Sequence, residues 1–336
     1  MAKRTIKGTY IIDLIKQYPN HYSNSLARIA HDKEPVLFPS VEGARTLIRY
    51  YREALGNKGR KEIGIDTKKE LEIISTFNPL GLPSSDEEDY EWIPYQISDG
   101  CKRMLCLYDV HVPYHDVRAC NVALQYGLDN NADCIFIGGD FMDCYGLSRY
   151  EKDPRNRGFK EELELTRLFL EKIRELFPKA KIYYQLGNHE ERYQSLLKLK
   201  APQFIGIESF MIDVLLNFRD LSIELIDDKR VAKFGDLNLI HGHELPGGAY
   251  SPVNPAKGLY NKAKRPTMCG HHHQTSEHAE KDIEDNITTC WSVGTLGTLH
   301  PEYAVVNKWN HGFAFVEKEG DDFKVINKRI YNGRLI

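Results

Sequence analysis

The chain has 336 residues, 41% of them hydrophobic and 28% charged, with a formal net charge of -3. That is enough chain for two units at roughly 150 residues each, in a composition ordinary for globular proteins. No apolar run approaches the roughly 20 residues needed to cross a bilayer, and the basic start "MAKRTIKGTYIIDLIKQYPN" lacks an apolar core or cleavage site, so neither secretion nor membrane insertion is expected. Cys101, Cys106, Cys120, Cys134, Cys144, Cys269 and Cys290 stand singly, without a CxxC pair. Reduced thiols, a cytoplasmic setting and no disulfide-linked partner are the expectation.

In chain order, the first elements are helices. Ile11, Leu14 and Ile15 mark a helix that stops before Pro19; a second follows Ser23 or Ser25 and carries Leu26 and Ile29; a third follows Ser40. On the third, Ala44, Ile48, Tyr51 and Leu55 share one face, and Arg45, Arg49 and Arg52 share another. Residues 1–61 hold 12 Lys+Arg against 5 Asp+Glu, or +7, which leaves 33 basic and 43 acidic residues, or -10, for the rest. A basic, helix-turn-helix-like module over 1–61 that contacts nucleic acid through Arg45, Arg49 and Arg52 is one reading; the solvated face of a packing unit is the other.

Residues 62–101, with "NPLGLPSSDEEDYEW", read as a connector. From Lys102 onward strands and helices alternate: "RMLCLY", a helix after Asp116, "DCIFIG", the amphipathic "EELELTRLFLEKIRELF", "KIYYQL" and "FIGIESFMIDVLLNF". Strands return as "VAKF", "LNLIH", "PTMCG" and "ITTCWSV", and then as a terminal pair, "GFAFVEK" with "FKVINKRIY". The later half is expected to form a second sheet, so that residues 102–336 make an α/β layered sandwich.

Polar residues of one kind follow these strands. "LYDVHVPYHD" supplies Asp109 and His111, "FIGGDFMDCY" supplies Asp140 and Asp143, and "QLGNHEERY" supplies Asn188 and His189. "LIHGHE" adds His241 and His243, and "MCGHHHQTSE" adds His271, His272 and His273. Ligands of open α/β sheets bind beyond the carboxyl ends of the strands. Each cluster alone is common turn chemistry; five in succession, mixing Asp, His and Asn, are not.

In these five blocks the sequence resembles the calcineurin-like metallophosphoesterase family, whose order is D-x-H, G-D-x-x-D, G-N-H-E, H-G-H and G-H-x-H. Here the blocks read "DVH", "GDFMD", "GNHE", "HGH" and "GHHH", within residues 102–297. The resemblance implies a β-sandwich flanked by helices, preceded here by the small three-helix module. It also implies two divalent metal ions: one on Asp109, His111 and His273, one on Asn188, His241 and His271, with Asp140 bridging. Oxygen and imidazole donors without thiolate favour Mn(II) first, with Fe, Zn, Ni and Mg as the other candidates.

The implied activity is metal-dependent phosphoester hydrolysis. His189, outside the ligand set, is expected to protonate or stabilise the leaving oxygen, with Asp143 fixing its tautomer. Glu190 is assigned a supporting role at a helix start. His243 is favoured as a phosphate contact; Arg149, Arg155 and Arg157 at the site's edge are read either as phosphate grips, Arg149 being named for that role, or as ordinary loop solvation; His115 and His272 stay unassigned. The basic helices point to a phosphodiesterase or nuclease acting on DNA or RNA. A phosphatase or phosphodiesterase for small nucleotides is the alternative, and a nucleic-acid- or partner-binding protein with a structural metal site is an alternative of another class.

Overall fold

A computed structural model describes residues 6–18, 23–52, 94–148, 158–226, 229–245 and 253–336. The chain divides into two compact units, Met1–Ile93 and Pro94–Ile336. Leu55, Arg149, Arg155 and Arg157 lie outside the described residues.

In the first unit, α1 (Ile6–Gln17), α2 (Ser23–Lys33) and α3 (Val41–Arg52) enclose one apolar cluster. Ile11, Leu14 and Ile15 meet Leu26 and Ala30 there, and Ala44, Ile48 and Tyr51 of α3 close it, as the helical spacing predicts. Ser40 caps α3 by accepting from the Gly43 amide at 3.2 Å. Arg49 is exposed and Arg45 is half-buried.

The second unit is built on two sheets. The first has the order β13-β12-β11-β2-β3-β4-β5, from β2 (Arg103–Leu107), β3 (Cys134–Gly138), β4 (Lys181–Gln185), β5 (Ile223–Ile226), β11 (His311–Glu319), β12 (Asp322–Tyr331) and β13 (Arg334–Leu335). The other runs β1-β6-β7-β8-β10-β9, from β1 (Tyr95–Gln96), β6 (Ala232–Phe234), β7 (Leu237–Ile240), β8 (Thr267–Cys269), β9 (Ser276–Lys281) and β10 (Ile287–Ser292).

Alternation along the strands creates the layers. Met104, Cys106, Phe136 and Tyr183 point from the first sheet into a core shared with Phe234, Leu239, Met268 and Trp291 of the second. The intervening residues Leu105, Leu107, Ile135, Ile137, Ile182 and Tyr184 face α4 (Val117–Asp129) and α5 (Phe159–Leu176). On α5, Leu163, Leu170 and Ile173 form the buried stripe. α6 (Glu191–Lys200) follows β4. α8 (Pro255–Ala263) covers the outer side of the second sheet through Leu259, which packs with Ile240, Cys269 and Cys290. The result is the expected sandwich with helices on its outer faces.

Four details differ from the sequence reading. The terminal pair β11 and β12 joins the first sheet, because β11 pairs antiparallel with β2, Ala314 opposite Cys106. Residues 94–101 belong to the second unit and not to a connector, since β1 pairs with β6, Tyr95 opposite Ala232. β5 and β9 were not anticipated; each mixes charged residues into its run, as "IELI" and "SEHAEK" do. "FIGIESFMIDVLLNF" is broken into short turns and the one-turn α7 (Ile212–Leu215), with Gly206 at φ +85° interrupting it.

All seven cysteines are buried and unbridged. Among the described residues, no helix is long and apolar enough to cross a membrane.

Candidate dinuclear metal centre

β2, β3 and β4 run parallel, so their carboxyl ends reach one rim. β7 and β8 run parallel in the other sheet and end against the same rim. The five sequence blocks therefore converge. Asp109, His111 and His273 bring three donor atoms within 4.8 Å of one another, and so do Asp140, His241 and His271. His111 and His273 face each other Nε2 to Nε2 at 3.2 Å, and His273 Nε2 lies 3.2 Å from Asp109 Oδ1. His241 Nε2 is 3.2 Å from Asp140 Oδ2, 3.2 Å from Asn188 Oδ1 and 4.0 Å from Asp109 Oδ1. Asp140 thus stands between the two sets, next to the neutral oxygen of Asn188.

The backbone is strained to achieve this. Asp109, His111, Asp140, His271 and His273 have φ of 51°, 53°, 49°, 64° and 55°, left-handed values that a side chain adopts at a cost of about 1–3 kcal/mol each. The glycines beside them have a steric reason as well. A Cβ on Gly187 would come within 2.2 Å of Asp140 Oδ1, and one on Gly270 within 2.5 Å of Asp109 Oδ2. The glycines of "GNHE" and "GHHH" are there to let a carboxylate approach the backbone.

Hydrogen bonds set the direction of the rings. His241 donates from Nδ1 to the Gly138 carbonyl at 2.9 Å, and His111 donates from Nδ1 to Asp143 Oδ1 at 2.8 Å. Both therefore present an Nε2 lone pair inward, as ligation requires. Electrostatics agree with a cation here. Asp109 Oδ1 is fully buried and accepts no hydrogen bond. Burial opposes charge on His241, yet Asp140 and Asp109 outweigh it and raise its pKa well above the usual imidazole value. Burial, reinforced by His241, pushes His271 down to about 3, and burial lowers His273. The carboxylates call for positive charge while two of the rings stay neutral donors, and oxygen and imidazole donors of this kind suit hard-to-borderline divalent ions.

His189 is placed differently from the ligands. Its Nδ1 donates to the Asp143 carbonyl at 2.7 Å and lies 3.1 Å from Asp143 Oδ1. Its Nε2 accepts from Arg192 Nη2 at 2.9 Å and is 3.7 Å from Asp140 Oδ2. His189 also groups with His111 and Asp140 as a set of candidate donors, but its Nε2 is held by the guanidinium of Arg192 and not by another donor of the sets. Burial opposes its charge, and Asp140 and Asp143 overcome that to raise it to about 9. Asp143 has a wider role than the sequence suggested: its carboxylate orients His111, while its backbone carbonyl makes the shortest contact to His189.

Three groups complete the scaffold. Glu190 is fully buried and accepts from the amides of Asp140, Phe141, Met142 and Gly187 at 2.8–3.1 Å and from Tyr184 Oη at 2.8 Å. It locks the "GDFMD" turn to the "GNHE" turn. Glu244 does the same at "HGHE", accepting from the His241 and Gly242 amides at 3.0 and 2.6 Å. Arg192 holds the Asp143 carbonyl at 2.9 Å as well as His189. Glu244 and Arg192 were missed from sequence. The signal for Glu244 was the Glu three residues after His241, the same offset at which Glu190 follows Gly187 and the one used in helix capping boxes.

Replacing Glu190 by Gln turns an amide group toward amides that need acceptors. We expect Glu190→Gln to lower the urea unfolding free energy by about 2 kcal/mol or more, since hydrogen bonds to a charge are worth about 1.5–3 kcal/mol. Metal affinity, read by titration with a chelator, should fall by about 10- to 100-fold. Wild-type stability and affinity in this variant would refute the assignment.

Of the other candidates, His243 stands beside His241 and His271 with its Nε2 on Glu191 at 3.0 Å, and Glu191 also binds Lys229. His115 is half-buried and packs on Phe169 at 5.1 Å, and burial lowers its pKa. His272 lies against His271 at 5.3 Å.

No protein-family model matches the chain, and no curated protein matches it. Solved structures similar to it include Vps29 of Entamoeba histolytica complexed with zinc, at 13% identity over 70% of this chain and 96% of that one, with a TM-score of 0.37. They also include Yfce, a phosphoesterase of E. coli, at 16% identity over 64% and 88% with a TM-score of 0.32. A dimetal phosphatase of Danio rerio follows at 12% identity over 68% and 96%, with a TM-score of 0.34. Identities and TM-scores this low assign no activity; the side-chain geometry has to do so.

Proposed function

We propose that this protein is a dinuclear-metal phosphoester hydrolase. The observation that carries the reading is the pair of donor sets meeting at Asp140, with His189 held beside them. Asp109, His111 and His273 would hold one ion, and Asn188, His241 and His271 the other, with Asp140 shared. When bound, the ions supply charge neutralisation for the phosphoryl group and a water acidic enough to attack at neutral pH.

The chain's own residues do the rest. Glu190 and Glu244 hold the turns that carry the donors. Asp143 aims the His111 ring, and with Arg192 it fixes His189 at the edge of the centre. When a substrate oxygen draws Arg192 away, His189 Nε2 takes up a proton from water, as its raised pKa favours, and passes it to the departing oxygen, while the guanidinium takes charge developing on the phosphoryl group. His243 and Arg149 are assigned to phosphate binding in this scheme. Manganese is the preferred ion on the donor set alone.

The finer assignment is to phosphodiesters of DNA or RNA. It is supported by the basic module, whose α3 exposes Arg49 beside Arg45 and Arg52 on the helix. Small nucleotides are the second reading, consistent with the -10 balance outside residues 1–61, which disfavours long polyanions. Metal-loaded protein assayed on bis-p-nitrophenyl phosphate, p-nitrophenyl phosphate, cyclic nucleotides and DNA separates these readings, and absence of turnover on all of them refutes hydrolysis. If α3 binds nucleic acid, Arg49→Glu should weaken DNA binding about 10-fold or more at low salt and flatten its salt dependence, since each phosphate contact contributes a slope of about 0.9. Unchanged binding would return α3 to a packing role.

A further inference from the structure

The segment between β10 and β11, residues 293–310, carries an aromatic pair that the chemistry above does not use. Asn310 donates from its amide to the His273 carbonyl at 2.9 Å, so the end of the segment is tied to a metal-donor residue. Trp309 stands edge-on to the His273 ring, centroids 4.2 Å apart at 69°. Tyr303 meets Trp309 in turn at 6.2 Å and 64°. Internal bonds hold the loop's shape: Asn307 donates from Nδ2 to the carbonyls of Leu299 and Ala304, both at 2.6 Å, and accepts from the Trp309 amide at 2.8 Å.

Tyr303 is 73% exposed, and Val305 and Val306 next to it are 59% and 97% exposed. Burial of the hydroxyl and then the negative charge of Asp143, against the relief of Arg192, push Tyr303 up to about 12, in keeping with a place near the carboxylates. The exposed ring is thus joined to the donor residue His273 through Trp309. A tyrosine serving only to pack would bury its face; this one offers it at the rim of a charged centre, backed by Trp309.

We propose that Tyr303, supported by Trp309, is a specificity-determining residue that stacks on a planar aromatic group of the substrate's leaving alcohol, the base of a nucleoside above all. A phosphoester seated at the metal centre places its leaving group outward, and an exposed aromatic face at the rim recognises a planar ring better than an alkyl chain. The inference rests on the phosphoesterase reading for the position of the phosphate.

The test uses the metal-loaded full chain and two readouts. Calorimetry compares adenosine 5′-monophosphate, p-nitrophenyl phosphate and ribose 5-phosphate as ligands; turnover compares nucleoside, aryl and alkyl phosphoesters. Stacking a base on an aromatic side chain is worth about 1–3 kcal/mol, so Tyr303→Ala should lower affinity for adenosine monophosphate about 10-fold relative to ribose phosphate. KM for nucleoside esters should rise by a similar factor relative to alkyl esters, and Tyr303→Phe should restore both ratios. A p-nitrophenyl ligand that loses as much as the nucleotide indicates a general aryl platform; a smaller loss indicates fit to a base. Equal losses for ribose phosphate and the nucleotide, or none for either, would overturn the inference. A wild-type protein that prefers the nucleotide over ribose phosphate through Tyr303 but hydrolyses nothing refutes the phosphoesterase reading and leaves the stacking role standing.

Discussion

Asp140→Asn should bind fewer than two ions after reconstitution and lose turnover by about 1000-fold or more, because the metal contribution to charge stabilisation is several kcal/mol and each 1.36 kcal/mol is tenfold in rate. Asp140 groups with His241 and His271 and also with His111 of the other set: Oδ2 faces His241 at 3.2 Å and His189 at 3.7 Å, and Oδ1 accepts from the His189 amide at 2.8 Å. The Asn variant keeps the shape and the amide contact, so loss of metal reports lost charge and not a collapsed turn. Asn188→Ala should act on the second ion alone. Elemental analysis of both variants reads the outcome, with circular dichroism to verify folding. Two ions retained in Asp140→Asn would mean that the donor sets are independent.

The second large effect concerns His189. His189→Gln should keep both ions and slow hydrolysis of nucleoside or alkyl esters by about 100- to 10,000-fold, the range for losing a positioned acid. p-Nitrophenyl esters should suffer less, since nitrophenolate leaves with little protonation. Arg192→Ala should move in the same direction, because the Arg192 guanidinium holds both His189 Nε2 and the Asp143 carbonyl. Asp143→Ala should be distinguishable from both. Its carboxylate orients His111, so that variant should also weaken the ion on Asp109, His111 and His273. Metal loss in His189→Gln would show that this ring is a ligand, as its grouping with His111 and Asp140 permits.

The division between His189 and its neighbours shows how the site is distributed along the chain. The atoms that meet at the rim come from positions as distant as Asp109 and His273, and each arrives on a turn immediately after an apolar strand. The same architecture explains the strained backbone. Left-handed φ at five donor residues is tolerable only where Glu190, Glu244 and the close glycines over-determine each turn.

The sequence by itself determined the α/β layering, the order of most elements and which ligand-type residues follow which strands. Those signals are local: period-two apolar runs, an amphipathic repeat on α5, and ligand-type residues one to five positions after a strand end. The three helices of the first unit were legible for the same reason, through Ala44, Ile48 and Tyr51 on one face. Only the tertiary structure decided that β11 returns to β2, and that Tyr95 extends the second sheet, because antiparallel and edge pairing depend on partners far along the chain. It alone showed Arg192 on His189, Glu244 under His241, Asp143 shared between two rings, and Tyr303 with Trp309 at the rim. A charged or aromatic side chain on a loop has no periodicity to betray its target. What it touches is settled by which turns the two packed sheets bring together.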